Sequence, residues 1–199
     1  MTSPDRIIEE TRKHVKALFA DDGSGHDWWH IYRVWTVAGK LGETEGADRT
    51  VVELGALLHD IADWKFHDGD NTIGHVCDIV ATISYKGAGV STPMQTLEGK
   101  VVQDADRLDA IGAQGIARTF AYGGNKNRLI YHPDQKPVLH QSFEAYKKND
   151  GHTINHFYEK LLLLKDRMNT EAGRKMAEER HRFMEQFLDQ FFREWHGEF

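Results

Sequence analysis

The chain has 199 residues, 40% hydrophobic and 28% charged, a balance that permits a real core and excludes a disordered polymer. Its formal charge of -6 argues against a dedicated binder of nucleic-acid duplexes, which needs a basic face. A single cysteine, Cys77, excludes an intrachain disulfide framework, no apolar run approaches the roughly 20 residues of a membrane span, and the acidic start lacks the order of a signal peptide.

A soluble cytoplasmic protein with no membrane partner is therefore expected. Ser3-Pro4-Asp5 reads as an N-cap followed by proline at the first helical position, and Ile7, Ile8, Thr11, Val15, Leu18 and Phe19 then keep a helical period. The cluster Asp21 to Gly25 breaks that helix. A second helix is expected from Asp27 to about Glu43, with Ile31, Val34, Trp35, Ala38 and Leu41 on one face. A third, short and apolar, carries Val51, Leu54, Leu58 and Ile61 and ends near Asp63. A fourth runs from Asn71 to about Tyr85, with Ile73, Val76, Cys77, Val80 and Ile83 inward.

After the loop 86–91, Thr92-Pro93 reads as the start of the next helix, which reaches about Leu108; Ile111 to Tyr122 continues helically after a kink. Residues 124–150 hold Pro133, Pro137 and scattered charge and read as a long excursion. Two helices, about 151–168 and 171–195, close the chain. The expectation is one all-α domain over residues 1–199, with seven or eight helices. The aromatic stripe Phe183, Phe187, Phe191 and Trp195 is expected to pack that domain or a homodimer.

Twelve histidines are about twice the ordinary share. Three places set ligand-type residues among apolar helical neighbours: His30, the pair His59-Asp60, and Asp106. Burying a lone carboxylate or imidazolium is costly unless it is paired or bound to a metal. Two neutral imidazoles and two carboxylates suit a divalent ion of mixed nitrogen and oxygen preference, among Mn²⁺, Fe²⁺, Co²⁺, Ni²⁺ and Zn²⁺. Adjacent helical residues diverge by about 100°, so His59 and Asp60 can share an ion only near a distorted helix end.

The order His30, His59-Asp60, Asp106 resembles the H…HD…D signature of the HD-domain superfamily of metal-dependent phosphohydrolases. The contexts HIYRV, LLHDI and DADRLDAIG carry the likeness over about residues 24–122. The stretches DADRLDAIGAQGIARTFAYGG and HTINHFYEKLLLLKDRMNTEAG are similar to small bacterial HD-domain hydrolases, some of which are nucleotide pyrophosphohydrolases.

The resemblance implies an all-α fold and His30, His59, Asp60 and Asp106 as ligands of one divalent ion. Manganese is the expected ion, with nickel, cobalt, iron, zinc or magnesium as alternatives. His67 and His75 lie in no second-metal motif. Asp63 follows Asp60 by three and resembles the acidic residue that orients or deprotonates the attacking water in some members.

Around that core, Asp109 is expected to fix the tautomer of His30 or His59. Arg33, Lys86 and His26 are expected on the substrate phosphates, and Arg107 in a structural ion pair. His152 and His156 stand four apart and are expected to form a cleft wall or pack with Phe157, and they lack the Glu of a metalloprotease motif. The expected activity is hydrolysis of a nucleoside triphosphate to the monophosphate and pyrophosphate. A 5′-monophosphatase, a cyclic-nucleotide phosphodiesterase and a non-catalytic nucleotide sensor are the alternatives.

Overall fold

A computed structural model describes residues 3–19, 27–61, 71–142, 144–145 and 151–198. Its helices are α1 (Pro4–Leu18), α2 (Trp28–Glu45), α3 (Arg49–Leu58), α4 (Asn71–Thr82), α5 (Leu97–Asp109), α6 (Gly112–Asn125), α7 (Thr153–Glu159) and α8 (Glu171–Trp195). Among the described residues there is no strand, so the all-α class holds. No described helix is long and apolar enough to cross a membrane.

Local chemistry sets the helix starts. The Ser3 hydroxyl accepts from Arg6 N ahead of Pro4. Asp27 accepts from His30 N at 2.9 Å, and Asp48 accepts from Thr50 N and Val51 N. Gly46 ends α2 in the left-handed conformation, φ 74°, where a Cβ would clash with the backbone.

The α2 face Ile31, Val34, Ala38 and Leu41 is buried as its periodicity requires. α2 packs on α5 and α3, and α3 packs on α5, so three helices meet where the ligand-type residues lie. In α4 the inward residues are Val76 and Ile79, followed by Ile83 just past its end, while Ile73 is exposed. Phe187 stacks on Phe157 at 5.7 Å, whereas Phe183 and Trp195 at the ends of the aromatic stripe stay half-exposed.

The structure moves four expected boundaries. The third helix, expected to end near Asp63, stops at Leu58, with His59 and Asp60 in the turn after it. The helix expected from Thr92 begins at Leu97, with Thr96 as its cap. Thr92 is held by α5 itself: its hydroxyl accepts from Arg107 Nη2 at 2.9 Å and its carbonyl from Gln103 Nε2 at 3.1 Å. α4 stops at Thr82, three residues early, and the Ile83 carbonyl just beyond it accepts from Gln103 Nε2 at 3.2 Å. The helix expected over 151–168 breaks at Lys160, φ -141°, into α7 and two short 3₁₀ turns. Phe157, Leu161, Leu164 and Met168 are still buried at helical spacing, so the sequence pattern survives a change of backbone.

Buried polar side chains fasten α8 to α5. Asp104, with no exposed surface, accepts from the backbone of Asn169 and Thr170 and from both their side chains, at 2.8 to 3.1 Å. A carboxylate with this many donors is satisfied in the core. It anchors the start of α8 two residues before Asp106 of α5.

Candidate metal centre

His59 and Asp60 follow the last residue of α3, in the turn that ends it. That position removes the 100° conflict of adjacent helical side chains, as the sharing of one ion requires. His30 comes from the first turn of α2, and Asp106 from the last turn of α5. The crossing of α2, α3 and α5 brings them together. His30 Nε2 lies 3.1 Å from His59 Nε2, 3.2 Å from Asp60 Oδ2 and 3.7 Å from Asp106 Oδ1. His59 Nε2 lies 3.5 Å from Asp60 Oδ2 and 3.8 Å from Asp106 Oδ1.

The other ring nitrogens decide what the two imidazoles present to the cluster. His30 Nδ1 lies 2.7 Å from Asp109 Oδ2, and His59 Nδ1 lies 2.7 Å from the carbonyl of Ala56. Both partners are acceptors, so both Nδ1 atoms carry the proton. Both Nε2 atoms then present lone pairs, toward each other and toward two carboxylate oxygens. With both imidazoles neutral, the four groups converge as acceptors, a set that either an ion or a proton on His30 Nε2 can bind together. Two atoms bound about 2.0–2.3 Å from one ion at 90–110° stand about 2.8–3.8 Å apart, the span of the five distances above. His30, His59 and Asp60 form the tightest group, all within 4.8 Å of one another, with Asp106 closing the side nearer the two rings. The residues fit a divalent ion.

The electrostatics agree. Burial pulls the His30 pKa down, but the hydrogen bonds to Asp109 and Asp60 and the field of Asp106 outweigh it and raise it to about 9. The His30 proton thus supplies positive charge when no ion does. Burial would raise the Asp109 pKa, yet His30 and Arg33 as donors and the charges of His30 and Arg118 hold it well below the usual carboxylate range.

An ion at His30 would need Nε2 unprotonated, so an ion and the proton would compete for it. Metal affinity should fall about tenfold per unit as pH drops below 9, with about one proton expelled per ion bound. In the metal-free protein the sign reverses. The His30 contribution to stability is complete below the ordinary value of 6.5 and is lost as pH rises through 9. Calorimetric titration of Mn²⁺ in buffers of different ionisation enthalpy counts the proton directly, and a count of zero at pH 7.5 contradicts this arrangement.

Of the other expected site residues, Asp109 is joined to His30, not to His59. Arg33 forks on Asp109 through Nε at 2.7 Å and Nη2 at 3.1 Å. Lys86 is half-buried in the loop after α4, with no hydrogen bond or ion pair to the cluster. His26, Asp63 and His67 lie outside the described residues.

Arg107 corrects the expected ion pair. Its Nη1 donates to the Arg167 carbonyl and its Nη2 to Thr92, with no carboxylate within ion-pair distance among the described residues. Arg167 in turn donates to the carbonyls of Gly87, Ala88 and Val90, so the two arginines fasten the glycine loop to α5.

His152 is the N-cap of α7. Its Nδ1 accepts from Asn155 N at 3.2 Å and its Nε2 faces the Gln135 carbonyl at 3.2 Å, which commits both nitrogens. His75 is engaged by Thr96 at 2.7 Å. Sequence reasoning missed Arg118, whose Nη1 lies 2.6 Å from Asp109 Oδ2. Its only sequence signal was its place in the DADRLDAIGAQGIARTF stretch, because the phase of α6 after Gly112, φ 73°, cannot be counted from α5.

The HD domain family model matches residues 28–111. The chain belongs to the HD-domain superfamily and is an HD-domain hydrolase, of a family of metal-dependent phosphohydrolases. It is 40% identical to YpgQ of Bacillus subtilis (strain 168), over 92% of this chain and 90% of that protein. Among solved structures, it is similar to a Lactobacillus plantarum protein at 35% identity, with TM-score 0.90 and full coverage of both chains. An HD-superfamily hydrolase from Bacillus thuringiensis matches at 44% identity and TM-score 0.75, covering 98% of this chain and 99% of that one. Bacillus subtilis YpgQ in complex with ADP matches at 37% identity and TM-score 0.72, covering 94% and 97%.

Proposed function

We propose that His30, His59, Asp60 and Asp106 hold one divalent ion, manganese in the first instance, and that the protein hydrolyses nucleoside triphosphates to the monophosphate and pyrophosphate. The observation that carries the metal reading is the convergence of two imidazole Nε2 atoms and two carboxylates, with both Nδ1 atoms held by acceptors outside the cluster. The nucleotide reading is supported by the ADP complex of its relative YpgQ and by the cationic side chains beside the cluster.

When bound, the ion lowers the pKa of a water and polarises a phosphoryl oxygen. The chain supplies the rest. Asp109 and the Ala56 carbonyl fix the two imidazoles in one tautomer and one orientation, so the Nε2 lone pairs need no reorganisation. Burial of His30 and His59 keeps bulk water from the ring side of the site. Phosphates are held by side chains, since the sequence has no GxxxxGK[ST] loop.

Asp63 is assigned to the water: it positions it or accepts its proton. Asp63→Asn should lower kcat by roughly 10²–10⁴ while metal content stays at the wild-type level. Unchanged kcat removes Asp63 from the chemistry, and loss of metal makes it a ligand.

Product analysis with Mn²⁺ and a panel of nucleoside triphosphates and monophosphates tests the whole reading. Pyrophosphate with a nucleoside monophosphate is expected. Orthophosphate from monophosphates identifies a 5′-nucleotidase instead, and binding without product identifies a sensor.

A further inference from the structure

Asp109 is surrounded by more positive charge than one carboxylate neutralises. It is 3% exposed and accepts from His30, from Arg33 through two nitrogens and from Arg118 at 2.6 Å. Arg180 stands in its field as well, with its side chain against Gly112 and Nη1 donating to the Leu108 carbonyl. Among the described residues, Asp109 is the only carboxylate within 4.0 Å of Arg33 or Arg118.

One arginine already satisfies and orients a carboxylate. Among the described residues, the second guanidinium adds a charge with no counter-charge of its own, at a half-buried place where an unpaired charge is costly. Each guanidinium carries five N–H donors. Arg33 makes two hydrogen bonds and Arg118 one, and their side chains remain 29% and 20% exposed. The carboxylate holds both planar groups in place, so little side-chain entropy is left to lose when an anion binds. The pair also lies beside the candidate ion, separated from it by the His30 ring, whose two nitrogens face Asp109 and the four-residue cluster.

We infer that Arg118, with Arg33, is a phosphate clamp that takes the phosphates of the substrate beyond the one that reacts, so the site prefers polyphosphorylated over monophosphorylated ligands. This deepens the nucleotide reading and rests on it for the identity of the substrate. The ligand chemistry it recognises is a chain of at least two phosphates. Arg118 is the residue the inference adds, and Asp109 has two roles: its Oδ2 fixes His30 while the same carboxylate orients the clamp.

The test uses the manganese-loaded protein and two inorganic probes, tripolyphosphate and orthophosphate, whose affinities are measured by calorimetry in wild type, Arg118→Gln and Arg118→Lys. Metal content is measured in each. Tripolyphosphate should bind Arg118→Gln about 10- to 100-fold more weakly, the scale of one hydrogen bond to a charged group, with metal content unchanged. Orthophosphate should change by less than about threefold, since it occupies the reacting position alone, and Arg118→Lys should recover part of the loss because it keeps the charge without the fork.

Equal tripolyphosphate affinity in wild type and both variants overturns the clamp. So does loss of the ion with a parallel loss of both probes, because that is the mark of a residue that merely supports Asp109. Should Arg118→Gln fail to fold, Arg118→Lys decides by the same two ratios. If no nucleotide is turned over while tripolyphosphate still distinguishes wild type from Arg118→Gln, the clamp stands and the nucleotide reading fails.

Discussion

Replacing His59 by alanine should reduce kcat by about three orders of magnitude or more, because several kcal/mol of charge stabilisation by the ion goes with it. His59 stands in the turn after α3, buried, with Nδ1 donating to Ala56 and Nε2 within 3.8 Å of three other acceptors. Removing its ring takes one of two nitrogens from a set of four, and the remaining oxygens do not replace it. Asp106→Ala should have the same result from the opposite side of the cluster. The fold should survive both, since the core of α2, α3 and α5 is closed by apolar residues such as Ile31, Leu57, Val101 and Leu108. Metal analysis, turnover and circular dichroism on the same samples check this. Normal turnover in a demonstrably metal-free His59→Ala sample refutes the metal centre.

The second large effect is expected at Asp109. Asp109→Ala leaves Arg33 and Arg118 without their carboxylate and His30 Nδ1 without its acceptor. Breaking a buried ion pair by removing one partner costs about 3–5 kcal/mol. The imidazole also loses its orientation, which should weaken metal binding by about 10- to 100-fold. Asp109→Asn keeps the shape and loses the charge, so it should retain more stability than the alanine variant while still losing metal affinity. Since the folded-state pKa of Asp109 is depressed, its contribution is present above the ordinary carboxylate value of 3.8 and is lost as pH falls through the lower folded value. Chemical denaturation as a function of pH should therefore show wild type and Asp109→Asn converging in acid. Parallel curves down to pH 2 would mean that the charge of Asp109 contributes nothing.

The sequence by itself determined what is local. Caps such as Ser3, Asp27, Asp48 and Thr170 and the burial period of α2 follow from interactions within about one turn, and the chain carries them wherever it folds. The H…HD…D order could be read for the same reason: it needs only residue types in sequence, and the placement of the pair at a helix end followed from the angle between adjacent helical residues. Tertiary structure alone decided what depends on how helices cross. The phase of α6 relative to α5 is reset at Gly112, so no count along the chain could put Arg118 on Asp109. Thr92 looks like a cap in sequence and is not one, because Arg107 and Gln103 from α5 hold its hydroxyl and carbonyl. His152 and His156 look like a pair, but a cap is not a helical position, and His152 spends both nitrogens on Asn155 and Gln135. At Thr92 a side chain far along the sequence competes for a group that local rules had assigned. A buried hydrogen bond outweighs a local preference of a few tenths of a kcal/mol, because leaving that buried group unsatisfied costs about 1–3 kcal/mol.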